Sequence, residues 1–236
     1  MCAKASSIRM KKPNSKEIYL ALKEEILSLK LHPGQMISEN EIAEFYSVSR
    51  TPVKNALIRL EGEGFIEVIP QRGSFVTLID YQHIQDFVHM RYVLEMDMLK
   101  TILKELPLQE LAKKLEENLR EQEQLIARGQ ATPLSFFALD SQFHALFFSC
   151  MGRERLWGII QANQVYYTRF RLLDTRMTAR YVQLYQEHTE ILQALRARDQ
   201  VLLDQRVYEH LHRYLAYFSK TFPGKHGEYL TNYNRS

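Results

Sequence analysis

Between Ser38 and Val76 the chain reads SENEIAEFYSVSRTPVKNALIRLEGEGFIEVIPQRGSFV. This span constrains the fold more than any other. Its apolar residues change from a period of three to four to a period of two. Val53, Ala56, Leu57 and Leu60 recur at helical spacing and form one buried stripe. Ser49 is expected to cap that helix through its hydroxyl. Pro52 falls early in it, where a missing N–H costs nothing. Gly64 is expected to end it in a left-handed conformation. A shorter helical pattern precedes it, separated by a tight turn at Val48-Ser49.

Two strand patterns follow, Phe65–Ile69 and Ser74–Thr77, joined through Pro70-Gln71-Arg72-Gly73. Two short helices, a tight turn and a hairpin with a basic glycine tip form the outline of a winged helix-turn-helix. The outer face of the second helix offers Arg50, Thr51, Lys54 and Asn55, residue types that reach phosphates and base edges. Arg72 beside Gly73 suits close approach to a sugar-phosphate backbone or entry into a minor groove.

The 236 residues allow one large or two modest domains. The formal net charge of +3 excludes a generally polybasic chain, so affinity for nucleic acid has to come from a local basic surface and from dimerisation. Lys4 to Lys16 is a basic leading segment, expected as a flexible tail over 1–15. The two cysteines, Cys2 and Cys150, fit a reducing cytosol rather than a disulfide framework. No signal-peptide core and no membrane-length apolar run is present, and a cytoplasmic protein without membrane contact is expected.

A first helix is expected over Lys16–Lys30, stopped by His32-Pro33-Gly34. The boundaries expected from sequence are 16–78 for the winged helix unit, 79–83 for a linker, 84–222 for a second domain and 223–236 for a tail. The second domain reads as helical throughout. Its segments are His83–Leu106, Gln109–Arg128, Ser135–Cys150, Glu154–Phe170, Thr178–Arg196 and Gln200–Thr221, with breaks at Pro107, Gly129 to Pro133, Gly152, around Asp174 and at Asp199. Six amphipathic helices with short links imply a bundle. The fold class expected is therefore mainly α: a winged helix-turn-helix with a small β-hairpin, then an all-α bundle of about six helices.

Asp140 and His144 are four residues apart and share one helix face. His188 lies in a later helix and His210 in the last. A carboxylate and three imidazoles projecting into a bundle interior can bind a divalent transition metal, and nitrogen-rich ligation favours zinc, nickel, manganese or iron over calcium or magnesium. The same spacing is also compatible with unrelated core histidines. His212 is two residues from His210 and belongs to another face. His32, His83, His89 and His226 are read as ordinary surface or core residues.

Residues from about Lys16 to Thr77 resemble the DNA-binding domain of the GntR family of bacterial transcription regulators. Ser38-Glu39, Ile42-Ala43, Val48 to Val53, Ala56-Leu57, Leu60-Glu61, Gly64, Arg72-Gly73 and Val76 carry the resemblance. It implies that Arg50 opens the recognition helix and contacts the operator, and that Gly73 is the wing glycine of the minor groove. Three positions depart from the family pattern. Asn40 stands where many members have arginine, Lys54 replaces a second arginine and loses its bidentate fork, and Asn55 replaces a frequent glutamate.

Residues from about Ile84 to Phe218 resemble the helical FCD domain of the FadR branch. Arg91 with Glu95, Asp140-x-x-x-His144, His188-x-x-Ile191 with Ala194, Asp199 and His210-Leu211 carry this resemblance. It implies that Asp140, His144, His188 and His210 hold a metal, often zinc, and that the metal helps bind a small carboxylate effector. Arg91, Arg169 and Arg171 are candidate partners of such a carboxylate, and Tyr166 and Tyr167 are candidate walls; Arg91, Tyr167 and Arg169 form the expected effector set. The expected function is that of a homodimeric repressor on an inverted-repeat double-stranded operator. A metal-dependent enzyme using the Asp/His3 group, or a regulator with a metal-free organic ligand, remain the alternatives.

Overall fold

The computed structural model describes residues 12–173, 177–221 and 227–232. The chain divides into two compact units, up to Leu78 and from Ile79 onward. Most of the leading basic segment, the break expected around Asp174 and His226 lie outside the described residues.

The first unit holds α1 (Ser15–Leu27), β1 (Met36–Ile37), α2 (Glu39–Phe45), α3 (Arg50–Gly62), β2 (Ile66–Ile69) and β3 (Gly73–Val76). Helix α1 begins in a reciprocal cap, with the Asn14 side chain accepting from Lys16 N and Glu17 N while Glu17 accepts from Asn14 N. It ends three residues short of the expected Lys30, because Leu29 turns left-handed at φ 58°. Ile18, Tyr19, Leu22 and Ile26 of α1 meet Val53, Ala56, Leu57 and Leu60 of α3, all buried. Fully burying each larger aliphatic side chain stabilises the unit by about 1.5–3 kcal/mol. The Tyr19 hydroxyl donates to Glu63, which also pairs with Lys23 at 2.7 Å, fastening the two helices at their rim.

Ser49 stands at the N-cap of α3 with extended backbone, but its hydroxyl makes no capping bond, unlike the expectation. Ser38 does cap α2, accepting from Glu41 N at 3.3 Å. Gly64 is left-handed at φ 76° as its position required. The hairpin is antiparallel, pairing Ile66 with Val76 and Ile69 with Gly73. Strand β1, which is too short to leave a periodic signal, adds to its other edge in the order β1-β3-β2.

The second unit contains β4 (Ile79–Asp80), α4 (Tyr81–Glu105), α5 (Gln109–Ala127), α6 (Pro133–Ser149), α7 (Glu154–Ala162), α8 (Val165–Leu172), α9 (Met177–Arg196), α10 (Gln200–Thr221) and β5 (Leu230–Thr231). Seven α-helices are present among the described residues, one more than expected. The segment Glu154–Phe170 is interrupted at Asn163-Gln164, where the Asn163 side chain donates to Ile159 O at 2.8 Å and closes α7. The expected linker at 79–83 is instead structured. Ile79 and Tyr81 are buried, and Asp80 caps α4 by accepting from His83 N at 3.1 Å. Part of the expected tail also takes structure, since β5 runs parallel to β4 with Leu230 buried.

Helix α6 sits among its neighbours, packing on α4, α5 and α7. Phe136, Phe143, Phe147 and Phe148 are fully buried, so most of its circumference is apolar. Among its buried residues, Asp140 and His144 are the polar exceptions. Burying ionisable groups in such a helix is costly unless each finds a partner.

Candidate metal centre

Asp140 and His144 project from one face of α6, His188 from α9 and His210 from α10. One ligand atom from each lies within 4.8 Å of all the others, and all four residues are buried. The bundle thus brings together the four residues expected from sequence.

The rings are oriented by an outer layer of acceptors. His144 Nδ1 lies 2.8 Å from Glu95 Oε2 on α4, and His210 Nδ1 lies 2.8 Å from Glu187 Oε2 on α9. His188 Nδ1 lies 3.0 Å from Gln122 Oε1 on α5. Gln122 is itself held, because its amide donates to Asn118 Oδ1 at 2.7 Å and Asn118 donates to Leu139 O at 3.1 Å, next to Asp140. Carboxylates only accept, so Nδ1 of His144 and His210 carries the proton. In each neutral ring Nε2 is then a lone pair.

Those lone pairs have no ordinary partner. His188 Nε2 is buried without a hydrogen bond and lies 3.6 Å from Asp140 Oδ1, another acceptor. His144 Nε2 and His210 Nε2 face each other at 3.1 Å. Buried acceptors pointing at one another repel unless a cation lies among them. The arrangement of donor atom and outer acceptor is the one that metal-ligating histidines use. These residues therefore fit a divalent transition metal, by the chemistry of the donors and by the orphaned Nε2.

The electrostatics agree. Burial lowers His144, which Glu95 only partly opposes, and burial followed by the proximity of His210 holds His188 well below the usual imidazole range. Neutral imidazole is the ligating form. Burial works against ionised Asp140, but Arg171 and the three histidines outweigh it and hold its carboxyl far below the carboxylate range. Burial likewise opposes Glu95, yet Arg91 and His144 bring it down to about 2.

The expected effector residues divide. Arg91 donates to Glu95 at 2.8 Å and lies over the rings of Trp157 and Tyr167 at 5.7 and 5.9 Å. Tyr167 and Arg171 share one face of α8, four residues apart. Arg171 donates from both terminal nitrogens to the two oxygens of Asp140, at 3.1 and 3.3 Å. Arg169 lies two residues from each and belongs to the other face of α8, where it is fully buried and burial pulls it down to about 10. The arginine on Asp140 is therefore Arg171 rather than Arg169. His212 is also outside the group, stacked on Tyr208 at 4.0 Å with Nδ1 donating to Tyr208 O.

Glu95, Gln122 and Glu187 were not read as site residues from sequence. The sequence carries a signal for two of them. Gln122 is a polar residue on the apolar stripe Leu111, Leu115, Leu119 of α5, and Glu187 immediately precedes His188.

In the first unit, Asn40, Arg50, Thr51, Lys54, Asn55, Arg72 and Gly73 are all exposed. Arg50 and Lys54 are one helical turn apart on α3, and Arg72 stands at the hairpin tip beside Gln71, whose φ is 64°, and Gly73, whose φ is 117°. The exposed basic face of α3 and the basic tip belong to the same unit.

Residues 14–76 match the bacterial regulatory proteins of the gntR family, and residues 86–213 match the FCD domain. An HTH-type transcriptional regulator in an unstable DNA locus of Streptomyces ambofaciens is 32% identical over 84% of this chain and 82% of its own. The HTH-type transcriptional repressor RspR of Escherichia coli K12 is 29% identical over 84% of this chain and 86% of its own. A crystal structure described as a GntR transcriptional regulator from Rhodococcus sp. RHA1 shares the fold, with a TM-score of 0.66 at 18% identity, covering 88% of this chain and 98% of that one. No helix among the described residues is long and apolar enough to cross a membrane. With both halves matched, the chain belongs to the GntR family of bacterial regulatory proteins, carries an FCD domain behind its helix-turn-helix, and is a DNA-binding transcription regulator rather than an enzyme.

Proposed function

We propose that the protein is a cytoplasmic, homodimeric repressor whose operator binding is controlled by a divalent transition metal and a small carboxylate effector in the helical unit. The observation that carries this reading is the convergence of three histidine Nε2 lone pairs and the Asp140 carboxylate inside the bundle, each ring held from behind by Glu95, Glu187 or Gln122. Asp140, His144, His188 and His210 hold the ion, with zinc as the first choice and nickel, manganese or iron as substitutes. When bound, the metal supplies a Lewis-acidic position for one oxygen of an anion.

The chain's own residues do the rest. Arg171, which holds Asp140, and Arg91 both face the Tyr167 ring and would orient the carboxylate. Arg50, Thr51, Lys54 and Asn55 enter the major groove, Asn40 lies on the neighbouring helix, and Arg72 with Gly73 approaches the minor groove. Two protomers place two such units on an inverted repeat. The repressor sign is supported by the name of the E. coli relative. The effector acts through its different affinities for the DNA-competent and the other state.

The test is operator binding by the purified protein, with its metal content determined in parallel. Expected are about one metal per chain and a change in operator affinity when the metal is stripped. Tight operator binding that is indifferent to metal removal and to every small carboxylate tried would refute control through this site.

A further inference from the structure

Residues 77–85 and 227–232 lie outside both family matches. Far apart in sequence, the two segments meet in the fold. Strand β5 pairs in parallel with β4, Ile79 opposite Leu230 and Asp80 opposite Thr231. The Asn232 side chain donates to Asp80 Oδ1 at 3.1 Å, the same oxygen that caps α4 by accepting from His83 N. Parallel strands need a long crossover, and here the helical bundle itself supplies it.

The chain is anchored on both sides of the boundary between the units. In the first unit, Thr77 N donates to Phe65 O at 3.1 Å and the Thr77 hydroxyl to Gly64 O at 2.8 Å. In the second, Ile79 is fully buried, and the Tyr81 ring lies 5.7 Å from Phe170 and 6.1 Å from Phe218. Leu78 alone separates Thr77 from Ile79. A ladder of two short strands holds weakly by itself. Its grip therefore depends on Leu230, which is buried, and on the packing of β5 against α4. Without β5, Ile79 and Asp80 lose their strand partner and Tyr81 becomes the first fixed residue.

We infer that residues 227–232 are a positioning element for DNA reading: by pinning Ile79 and Asp80 they keep the tether between the two units at the single residue Leu78, and so set the half-site spacing that the regulator accepts. The inference rests on the dimeric, inverted-repeat reading above. Release of β5 adds Ile79 and Asp80 to the tether. Two extended residues add about 7 Å of reach, which is about two base-pair rises of DNA. A longer tether lowers the effective concentration of the second DNA-binding unit at its half-site and widens the range of spacings it can reach. The exposed Arg50, Lys54 and Arg72 are untouched by this change, so binding to one half-site stays as it was.

The experiment compares full-length wild type, Leu230→Asp and Leu230→Ile. Each is titrated by fluorescence anisotropy on an inverted-repeat operator selected from random DNA by the wild type, on that operator with one or two base pairs inserted between the half-sites, and on a single half-site. Amide hydrogen exchange of residues 79–81 is followed in parallel. Wild type is expected to lose about tenfold or more in affinity on insertion, and Leu230→Asp only about threefold, from a parent affinity that is itself weaker. Leu230→Asp is expected to match wild type on the single half-site and to exchange the Ile79 and Asp80 amides faster. Leu230→Ile keeps an apolar side chain and is expected to behave as wild type. A merely structural role would lower the folded fraction without altering the spacing profile. An unchanged insertion penalty in folded Leu230→Asp therefore overturns the positioning role, as does a wild type that tolerates both insertions without loss. Unchanged exchange at Ile79 and Asp80 overturns the pinning itself. If Leu230→Asp does not fold, Asn232→Ala, which removes only the bond to Asp80, carries the same comparison with smaller shifts of the same sign. A wild type that binds one half-site as tightly as two overturns the dimeric reading, whatever the exchange data show.

Discussion

His144 Nε2 and His210 Nε2 face each other at 3.1 Å, although the opposite nitrogen of each ring already donates to a buried carboxylate. Two neutral imidazoles do not adopt this contact for their own sake, because both nitrogens are acceptors there. A cation among them turns the repulsion into attraction. His144→Ala is expected to abolish stoichiometric metal, and His188→Ala to lower its affinity without unfolding the bundle. Elemental analysis of protein purified without a metal-affinity tag checks both, and a full metal complement retained in His144→Ala would remove that residue from the ligand set.

The outer layer makes its own prediction. Gln122→Leu leaves all four ligands in place but removes the acceptor that holds His188 Nδ1–H. Metal affinity is expected to fall about 10–100-fold, the usual effect of losing such a partner. Glu95→Ala is expected to be worse, since it also strands Arg91 in the core, at a cost of about 3–5 kcal/mol in stability. Chemical denaturation combined with competitive metal titration separates the two effects; an unaltered metal affinity in Gln122→Leu would count against the role of the outer layer.

Acid is expected to destabilise the metal-free protein in two stages. His144 and His188 are lowered in the fold, so the unfolded chain takes up their protons first. Stability therefore falls as the pH drops below about 6.5, the ordinary imidazole value. Glu95 sits at about 2 instead of 4.5. Its contribution is fully present above 4.5 and is lost as the pH falls towards about 2, with the same sign. Urea midpoints measured at pH 7.5, 6 and 5 check the first stage, and a midpoint that rises on acidification would contradict it.

On the DNA side, Lys54→Ala is expected to weaken operator binding and, if Lys54 contacts a phosphate, to reduce the salt slope by about one ion. Uniform weakening on all sequences with an unchanged slope would argue against that contact. Gly73→Ala tests the wing. A Cβ there meets only Met36 Sδ at 3.9 Å, so space is not the obstacle. The φ of 117° is, and the substitution is expected to cost about 1 kcal/mol in stability and to reduce operator affinity. Thermal melting and fluorescence anisotropy measure the two separately.

Sequence alone determined what depends on local spacing. Val53, Ala56, Leu57 and Leu60 define the buried face of α3, and with it the exposure of Arg50, Lys54 and Asn55. Asp140 and His144 share a face because they are one helical turn apart. Tertiary structure decided what depends on which faces meet. Strand β1 exists only because β3 offers it an edge. Ile79 and Asp80 form a strand because β5 returns to pair with them. Arg171 and Arg169 look alike in sequence, but the packing of α8 puts only Arg171 on Asp140. Glu95, Gln122 and Glu187 come from three separate helices, and their roles arise only when α4, α5 and α9 surround the histidines. Periodicity reports which way a side chain points, whereas a coordination site requires several such directions to converge, and that convergence is set by helix packing.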